Sequence, residues 1–260
     1  MQNCNSVSTP LDVNQKLTKD MCSSKESETC NVPYQEAVGS LTYAAQVCRP
    51  DISYAMGVLS RYNNNHGKPH WEAVKHVMRY LKGTVDYKLQ FSKDNNEYLQ
   101  GFSDADWAGD LDERKSTSGY VFMFQIGSIS WNSKKQSTTA LSTTEAEYMA
   151  VSASAQEALW LGSLFKELGN SSFIKIKCDN QSAINLTNNS TYHARSKHID
   201  IRHHFVRELV EDKKIAIEYI NTNDMVADVL TKPLSRIRHL QCCELMGLGV
   251  QSSGGVEERE

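Results

Sequence analysis

The sequence predicts an α/β fold in which a mixed sheet of five strands is flanked by helices and preceded by a small all-helical unit. Apolar residues recur at helical spacing up to about residue 84. Beyond Asn95 and Asn96 the apolar spacing shifts toward two, which is typical of strands. Three strand candidates, a long helix and then alternating strands and helices indicate a mixed sheet with helices packed against it.

Composition and charge limit the class of protein. The chain has 260 residues, of which 40% are hydrophobic and 23% charged, and a net charge of -3. Such a chain can bury a sizeable core, but it would have to bind a polyanion through local basic patches or metal ions. Seven cysteines without a C-x-x-C pair favour a reducing intracellular compartment.

The sequence carries no signal for a membrane or for export. No apolar run approaches the roughly 20 residues needed to cross a bilayer. The first residues, MQNCNSVSTP, lack the basic and apolar regions of a secretory signal. We therefore expect no membrane partner and a cytoplasmic or nuclear protein that is not secreted.

The first third of the chain is predicted to be helical after a polar start. Residues 1–33 are rich in Ser, Thr and Asn, which favours an extended or disordered segment. Within 34–92, one helix is expected from 34 to Arg49, a second from Pro50, and a third over 70–82. Three such short helices bury their apolar stripes poorly alone, so we expect the unit to dock on the remainder of the chain.

The rest of the chain supplies the sheet and its helices. Strands are predicted over 99–103, 119–124, 128–132, 173–178 and 215–220, with Gly127 as the turn between the second and third. Helices are predicted over 143–168, from 181, over 198–211, and from about 225. Ser142 can cap the long helix, and Glu145 completes a capping box. Residues 235–260 are expected to form a C-terminal helix and a disordered tail.

Four acidic residues lie at strand ends or near helix starts, and they are Asp104, Glu147, Asp179 and Asp228. A single Asp in such a place is more often a helix cap than a metal ligand. Carboxylates are nevertheless the ligands that hard divalent cations prefer, and four of them could hold two ions.

Five motifs contain these acids in a specific context. They are GFSDADWAGDLDERKSTSGYVF, ISWNSKKQSTTALSTTEAEYMA, KCDNQSAINL, KHIDIRHHFVRE and NTNDMVADVLTKPL. In this order they resemble the ribonuclease H domain of copia-type retrotransposon Pol proteins, over residues 97–234. Upstream, VPYQEAVGSLTYAAQVCRPDISYAMGVLSRY and HWEAVKHVMRYLKGT resemble the helical region that comes after the reverse transcriptase palm.

The resemblance implies a ribonuclease H-like fold and an endonuclease that cuts the RNA strand of an RNA:DNA hybrid during reverse transcription. The four acids would bind two Mg²⁺ ions, with Mn²⁺ as an alternative. The partners would be the hybrid and the reverse transcriptase palm of the same polyprotein, in a retrotransposon particle. The absence of a Tyr-x-Asp-Asp motif predicts that this chain has no polymerase activity.

Two assignments inside the motifs need a choice. Asp104 and Asp106 lie two residues apart, and we choose Asp104 because the family's first acid comes directly after a small polar residue, here Ser103. Periodicity does not separate Glu145 from Glu147, which both flank the apolar stripe of the helix. The similarity of AEYMA to the family motif favours Glu147.

Three basic groups are candidates for contacts to phosphate. One is the loop of Arg114, Lys115 and Ser116, and another is the pair Lys134 and Lys135. The third and preferred group contains Arg195, Lys197, His198 and Arg202, at the start of a helix. The alternative for each is a solvated basic surface without a ligand.

Two other functions compete with the hydrolase. The chain could be a catalytically silent relic or a domesticated nucleic-acid-binding module of the same fold. It could also be an integrase or transposase nuclease, which would share the sheet and metals, although the motif context disfavours that interpretation.

Overall fold

A computed structural model describes residues 1, 3–22, 32–91, 99–170, 173–188 and 197–250, with the backbone alone for 188, 197–201 and 203. Its α-helices are α1 Tyr34–Val47, α2 Ser53–Leu59, α3 Lys68–Gly83, α4 Thr143–Glu167, α5 Gln181–Asn188, α6 Lys197–Glu211 and α7 Arg236–Leu245. Its strands are β1 Tyr87–Leu89, β2 Leu99–Ala105, β3 Thr117–Phe124, β4 Gly127–Lys135, β5 Ile174–Cys178, β6 Ile215–Tyr219 and β7 Leu248–Val250. Short 3-10 helices include Pro50–Ile52 and Val226–Leu230.

The five-stranded sheet has the order β4-β3-β2-β5-β6. β2, β3 and β4 pair antiparallel, whereas β5 runs parallel to both β2 and β6. The predicted α/β fold class, a mixed five-stranded sheet with flanking helices after a helical unit, is confirmed. The parallel pairing brings the carboxyl ends of β2 and β5 to one edge of the sheet.

Both faces of the sheet are covered by apolar side chains. α4 packs across one face, where its Tyr148 and Ala155 join Phe122 and Ile176 of the strands in one buried cluster. The 3-10 helix Val226–Leu230 and α7 cover the opposite face, in a second cluster that includes Val121, Leu230 and Met246. The packing on both faces holds the ends of α4 and of the 3-10 helix Val226–Leu230 at the sheet edge where β2 and β5 end.

The N-terminal segment is ordered where the structure describes it. Leu11 and Leu17 are buried in the core of α1, α2 and α3, and the Tyr62 hydroxyl donates a 2.9 Å hydrogen bond to the Leu17 carbonyl. Of the two predicted alternatives, extended or disordered, residues 3–22 adopt the extended one and form an irregular strap over the helical unit. Residues 23–31 lie outside the described part of the chain.

Two local predictions are corrected. Gln125 and Ile126 form the β3–β4 turn, with Gln125 at φ 58°, and Gly127 already belongs to β4. Gly127 is required for another reason, since a Cβ there would lie 2.5 Å from the Gln90 carbonyl oxygen. The helix predicted from about 225 is instead a 3-10 helix followed by α7, because Pro233 interrupts the run between them.

The C-terminal part is integrated with the helical unit. β7 pairs antiparallel with β1, with Leu89 opposite Leu248, and this ribbon was not predicted. α7 is the expected C-terminal helix, and the predicted tail at 251–260 lies outside the described residues. Across the junction, the Trp131 indole of β4 donates a 2.8 Å hydrogen bond to the Ala45 carbonyl of α1. The expected docking of the helical unit on the sheet is thus observed.

Candidate metal centre

The parallel pairing of β2 with β5 brings two of the acids together. Phe102 is aligned with Lys177, so Asp104 and Asp179, each two residues further on, leave the sheet at the same edge. Asp104 is 2% exposed, whereas Asp179 is half-buried. Asp104 therefore lies at the floor of the site and Asp179 nearer its rim.

Glu147 reaches the same edge from the second turn of α4. It is 7% exposed, and its Oε2 has no hydrogen-bond partner among the residues that the structure describes. A carboxylate oxygen of Glu147, one of Asp179 and the Cys178 thiol lie within 4.8 Å of one another. A buried carboxylate oxygen without a donor is costly, which points to a ligand that the protein itself does not supply.

Asp228 comes to the site from the opposite face of the sheet, on the 3-10 helix Val226–Leu230. It is 4% exposed, and Arg238 lies 3.1 Å from its Oδ2. Lys232 lies 2.7 Å from Asp228 Oδ1 and 3.6 Å from Asp104 Oδ2. The neighbouring Thr231 hydroxyl donates a hydrogen bond to Asp104. The four predicted acids are thus gathered in one acidic pocket, formed by Asp104, Glu147, Asp179 and Asp228.

The electrostatics of the acidic pocket reflect its burial. Burial raises the pKa of Asp104, and the nearby Asp228 and Asp179 raise it further against the opposing effect of Lys232. Burial likewise raises the pKa of Glu147, followed by the charges of Asp104 and Asp179. Both carboxyls therefore bind a proton more readily than an exposed carboxyl does, and a cation that compensates their charge opposes this effect.

The donor set fits a divalent cation. Carboxylate oxygens suit hard ions such as Mg²⁺ or Mn²⁺. Among the described residues, Glu147 Oε2 has no hydrogen-bond partner, and Asp228 Oδ1 is compensated only by its ion pair with the Lys232 ammonium. Both oxygens are therefore available to a cation. Burial raises the pKa of the adjacent Cys178 thiol, which keeps it neutral and makes it a poor ligand for such ions.

The geometry decides between the two acids of each motif that offered a choice, Asp104 or Asp106 and Glu145 or Glu147. Asp106 lies just beyond the end of β2, where its Oδ1 accepts a hydrogen bond from the Thr117 amide. Glu145 lies at the start of α4, where its Oε2 accepts from the Leu141 amide at 2.9 Å and its own amide donates to Ser142 Oγ at 3.2 Å. Asp106 and Glu145 therefore have local structural roles, and Asp104 and Glu147 face the acidic pocket.

The predicted basic loop is largely occupied by internal contacts. Ser116 is 1% exposed and its Oγ accepts a hydrogen bond from the Ala108 amide, so the prediction that it contacts phosphate is wrong. Lys115 pairs with Glu113 at 2.8 Å, and Arg114 is exposed. Lys135 pairs with Asp110 at 3.2 Å and with Glu113 at 3.4 Å. Glu113 and Asp110 thereby neutralise part of the positive charge that was assigned to substrate binding.

Lys134 and Arg202 retain access to solvent in a groove beside the acidic pocket. The groove has a volume of about 450 Å³, and both side chains line it together with Gln136. Gln136 Nε2 donates to the Ala146 carbonyl at 2.9 Å, next to Glu147 in sequence. Of the other predicted contacts, Arg195 lies outside the described residues, as do the side chains of Lys197 and His198.

Sequence reasoning missed three polar side chains that surround the acids. Thr231 and Lys232 contact Asp104 and Asp228, and Arg238 holds Asp228 while also donating to the Met225 carbonyl at 2.7 Å. The signal for Lys232 was present, because a lysine four residues after an acid on a helical turn is placed to pair with it. Arg238 gave no such signal, since Pro233 separates its helix from Asp228.

Comparison with known proteins identifies relatives of nearly the whole chain. It is 49% identical over 252 residues to the retrovirus-related Pol polyprotein from transposon TNT 1-94 of Nicotiana tabacum, covering 95% of this chain and 19% of that protein. It is 42% identical over 233 residues to the corresponding polyprotein from transposon RE2 of Arabidopsis thaliana, covering 89% of this chain and 16% of that protein. The chain thus spans less than a fifth of the length of these curated relatives. No protein-family model matches it.

A solved structure with a similar arrangement is that of LC11-RNase H1, isolated from compost by a metagenomic approach. The alignment covers 52% of this chain and 93% of that one, with a TM-score of 0.41 and 12% sequence identity. Within the described residues, no helix is long and apolar enough to cross a membrane.

Proposed function

Because the chain belongs to the retrovirus-related Pol polyproteins of copia-type transposons, we propose that it hydrolyses the RNA strand of RNA:DNA hybrids as an endonuclease. The products would be a 3'-hydroxyl and a 5'-phosphate. One observation carries the proposal: the fold gathers Asp104, Glu147, Asp179 and Asp228, from four separate motifs, into one acidic pocket. Capping does not explain Glu147, since its Oε2 has no donor among the described residues.

The four carboxylates would hold two divalent ions, Mg²⁺ or Mn²⁺, which supply an activated water and stabilise the leaving 3'-oxygen. The protein's own contribution is to hold the ligands in place. Thr231 fixes Asp104 by a hydrogen bond, and Arg238 fixes Asp228 from the other face of the sheet. Burial of Asp104 and Asp228 limits access of bulk water, while the half-buried Asp179 leaves the rim open to a nucleic-acid backbone.

The substrate would lie across the rim of the acidic pocket. Lys134 and Arg202, on the walls of the adjacent groove, would contact backbone phosphates. Arg114 would add a contact from the loop after β2, and Arg195, Lys197 and His198 would extend the surface at the start of α6. Lys115 and Lys135 would contribute less, because Glu113 and Asp110 already pair with them.

The biological setting is inferred from the family. The reverse transcriptase palm of the same polyprotein would be the partner that presents the hybrid, in a retrotransposon particle of the cytoplasm or nucleus. The helical unit, which the resemblance places after the palm, would form the connection to it.

The test is cleavage of a hybrid with a 5'-labelled RNA strand by the full chain, over a titration of Mg²⁺ and with EDTA as blank. Asp104→Asn and Asp179→Asn should abolish cleavage, while Glu145→Gln, two residues from Glu147 on the same helix, should retain it. A wild-type chain that binds the hybrid but leaves it uncut at saturating Mg²⁺ would contradict the proposal and favour a silent binding module. Joining of labelled duplex DNA ends to a target duplex would favour an integrase instead.

A further inference from the structure

Lys232 places its charge between two carboxylates of the acidic pocket. The Lys232 ammonium is 2.7 Å from Asp228 Oδ1 and 3.6 Å from Asp104 Oδ2. It therefore bridges the two acids that enter the pocket from opposite faces of the sheet. Thr231 and Arg238 also contact these acids, but each approaches one carboxylate only.

A cation beside these carboxylates lowers the free-energy cost of burying them. Asp104 and Asp228 are 2% and 4% exposed, so water does little to screen their repulsion. Burying charges without a partner is strongly unfavourable. A cation between Asp104 and Asp228 lowers this cost in a chain that carries no metal.

The Lys232 side chain can move from the carboxylates to solvent. Its side chain is 39% exposed, whereas the side chains of Asp104 and Asp228, taken without their backbone atoms, are 2% and 6% exposed. Its flexible stem can therefore carry the ammonium to solvent without disturbing the backbone. Arg238 differs in this respect, because it is 18% exposed and is held by the Met225 carbonyl as well as by Asp228.

We propose that Lys232 is a resident counter-cation of the acidic pocket, which neutralises Asp104 and Asp228 in the metal-free protein and must leave them when a divalent ion binds. Lys232 and the ion compete for the same oxygens, so their occupancies are linked. Lys232 then stabilises the metal-free chain and weakens its apparent affinity for Mg²⁺. Lys232 acts through the carboxylates, and is thus a positioning residue. The inference rests on the proposed metal site, although it does not require the hybrid to be cut.

The test compares Lys232→Met with the wild-type chain by thermal melting in EDTA and over a titration of Mg²⁺, without nucleic acid. In EDTA the variant should melt lower, by about 2–4 °C for each kcal/mol lost in a chain of this size. Saturating Mg²⁺ should abolish this deficit. The Mg²⁺ concentration that gives half of the stabilisation should fall by about threefold or more, because the internal competitor is gone.

Two further variants make the result specific. Lys232→Arg keeps the charge and should melt in EDTA close to wild type. Lys175→Met removes an exposed lysine that pairs with Glu218 at 2.8 Å, away from the acidic pocket, and should leave the Mg²⁺ titration unchanged. If Lys232→Met fails to fold in EDTA, recovery of the folded chain on addition of Mg²⁺, followed by circular dichroism, tests the same exchange, and a variant that stays unfolded in saturating Mg²⁺ would contradict it.

Distinct outcomes would overturn the inference. An equal melting deficit with and without Mg²⁺ would show a merely structural lysine, and an unchanged or higher half-point for Mg²⁺ would show that no competition exists. If Mg²⁺ takes the place of Lys232 but the chain never cuts a hybrid, the inference stands and the proposed nuclease activity is contradicted.

Discussion

The phenol oxygen of Tyr80 in α3 lies 2.9 Å from Nε2 of His239 in α7. The Tyr80 hydroxyl donates its single proton to Asp51 Oδ2 at 2.6 Å, so Nε2 of His239 must be the donor in the other hydrogen bond. Arg49 completes the chain with hydrogen bonds of 2.9 and 2.7 Å to the two oxygens of Asp51. A buried polar network of Arg49, Asp51, Tyr80 and His239 thus joins the helical unit to the helix behind the sheet.

The first prediction is that Tyr80→Phe destabilises the whole chain. The change removes a donor from Asp51 and an acceptor from His239, and each buried group left unsatisfied costs about 1–3 kcal/mol. Urea denaturation followed by circular dichroism should show the loss, still in one transition. Tyr43→Phe, at a position in α1 that is 70% exposed, is the control and should change little. A separate early transition in wild type would contradict the single cooperative structure.

The second prediction concerns the effect of acid on the same junction. Burial lowers the pKa of His239, an effect opposed by Asp51 and reinforced by Arg49. The stability that the neutral ring contributes is therefore complete above about pH 6.5, the ordinary value for histidine, and is lost as pH falls through the lowered pKa. The melting temperature should drop between pH 7.5 and 5, and His239→Gln should make this drop smaller.

The control for acid is His76→Gln in α3, whose Nε2 lies 3.0 Å from the Thr9 carbonyl oxygen. This variant should keep the wild-type dependence of melting temperature on pH. An identical pH dependence in wild type and His239→Gln would show that the junction does not depend on the neutral imidazole.

Whether the sequence predicts a site residue depends on how far apart along the chain the interacting residues lie. Asp104 and Asp179 were predictable, because alternation defines their strands and parallel strands end at one edge. Glu147 required the family motif, since helical periodicity places Glu145 equally well. What separates them is a local contact, the hydrogen bond from the Leu141 amide that holds Glu145 at the start of α4.

Long-range pairing explains the features that sequence patterns missed. Leu11 and Leu17 lie in a polar run without periodicity, yet they are buried because the helical unit offers them an apolar surface. β1 pairs with β7 across about 160 residues, and neither three-residue strand carries an alternation long enough to identify it. Lys232 is a different case, since its spacing from Asp228 was visible but its second contact, Asp104, is distant in sequence.

The third prediction separates activity from stability at Glu147. Glu147→Gln should abolish hybrid cleavage, because it removes a proposed ligand, and should raise the melting temperature in EDTA. The rise is expected because burial and the charges of Asp104 and Asp179 raise the pKa of Glu147. Folding at neutral pH must therefore either protonate this carboxyl or bury its charge, and glutamine avoids that cost. Glu145→Gln should keep cleavage and lower stability by no more than about 1 kcal/mol, as expected for a weakened cap. A Glu147→Gln chain that melts lower in EDTA would contradict the proposed repulsion.

The fourth prediction distinguishes two adjacent lysines of β4. Lys134 is exposed on the groove, so Lys134→Met should weaken binding of an RNA:DNA hybrid to the full chain and leave its stability nearly unchanged. Loss of one phosphate contact should also reduce by about one the slope of log affinity against log salt concentration.

Lys135→Met should have the opposite profile, because the Lys135 ammonium already pairs with Asp110 and Glu113. Asp110 is 6% exposed and also pairs with Arg61 of the helical unit at 3.3 Å, so removing Lys135 leaves a buried carboxylate less well compensated. Urea denaturation should therefore show a loss of stability, while the salt dependence of hybrid binding stays close to wild type. Fluorescence anisotropy of a labelled hybrid, measured at several salt concentrations in Ca²⁺ to prevent cleavage, gives both comparisons. If the slope of log affinity against log salt concentration were reduced in Lys135→Met and unchanged in Lys134→Met, the phosphate contact would come from Lys135, and the prediction would be wrong.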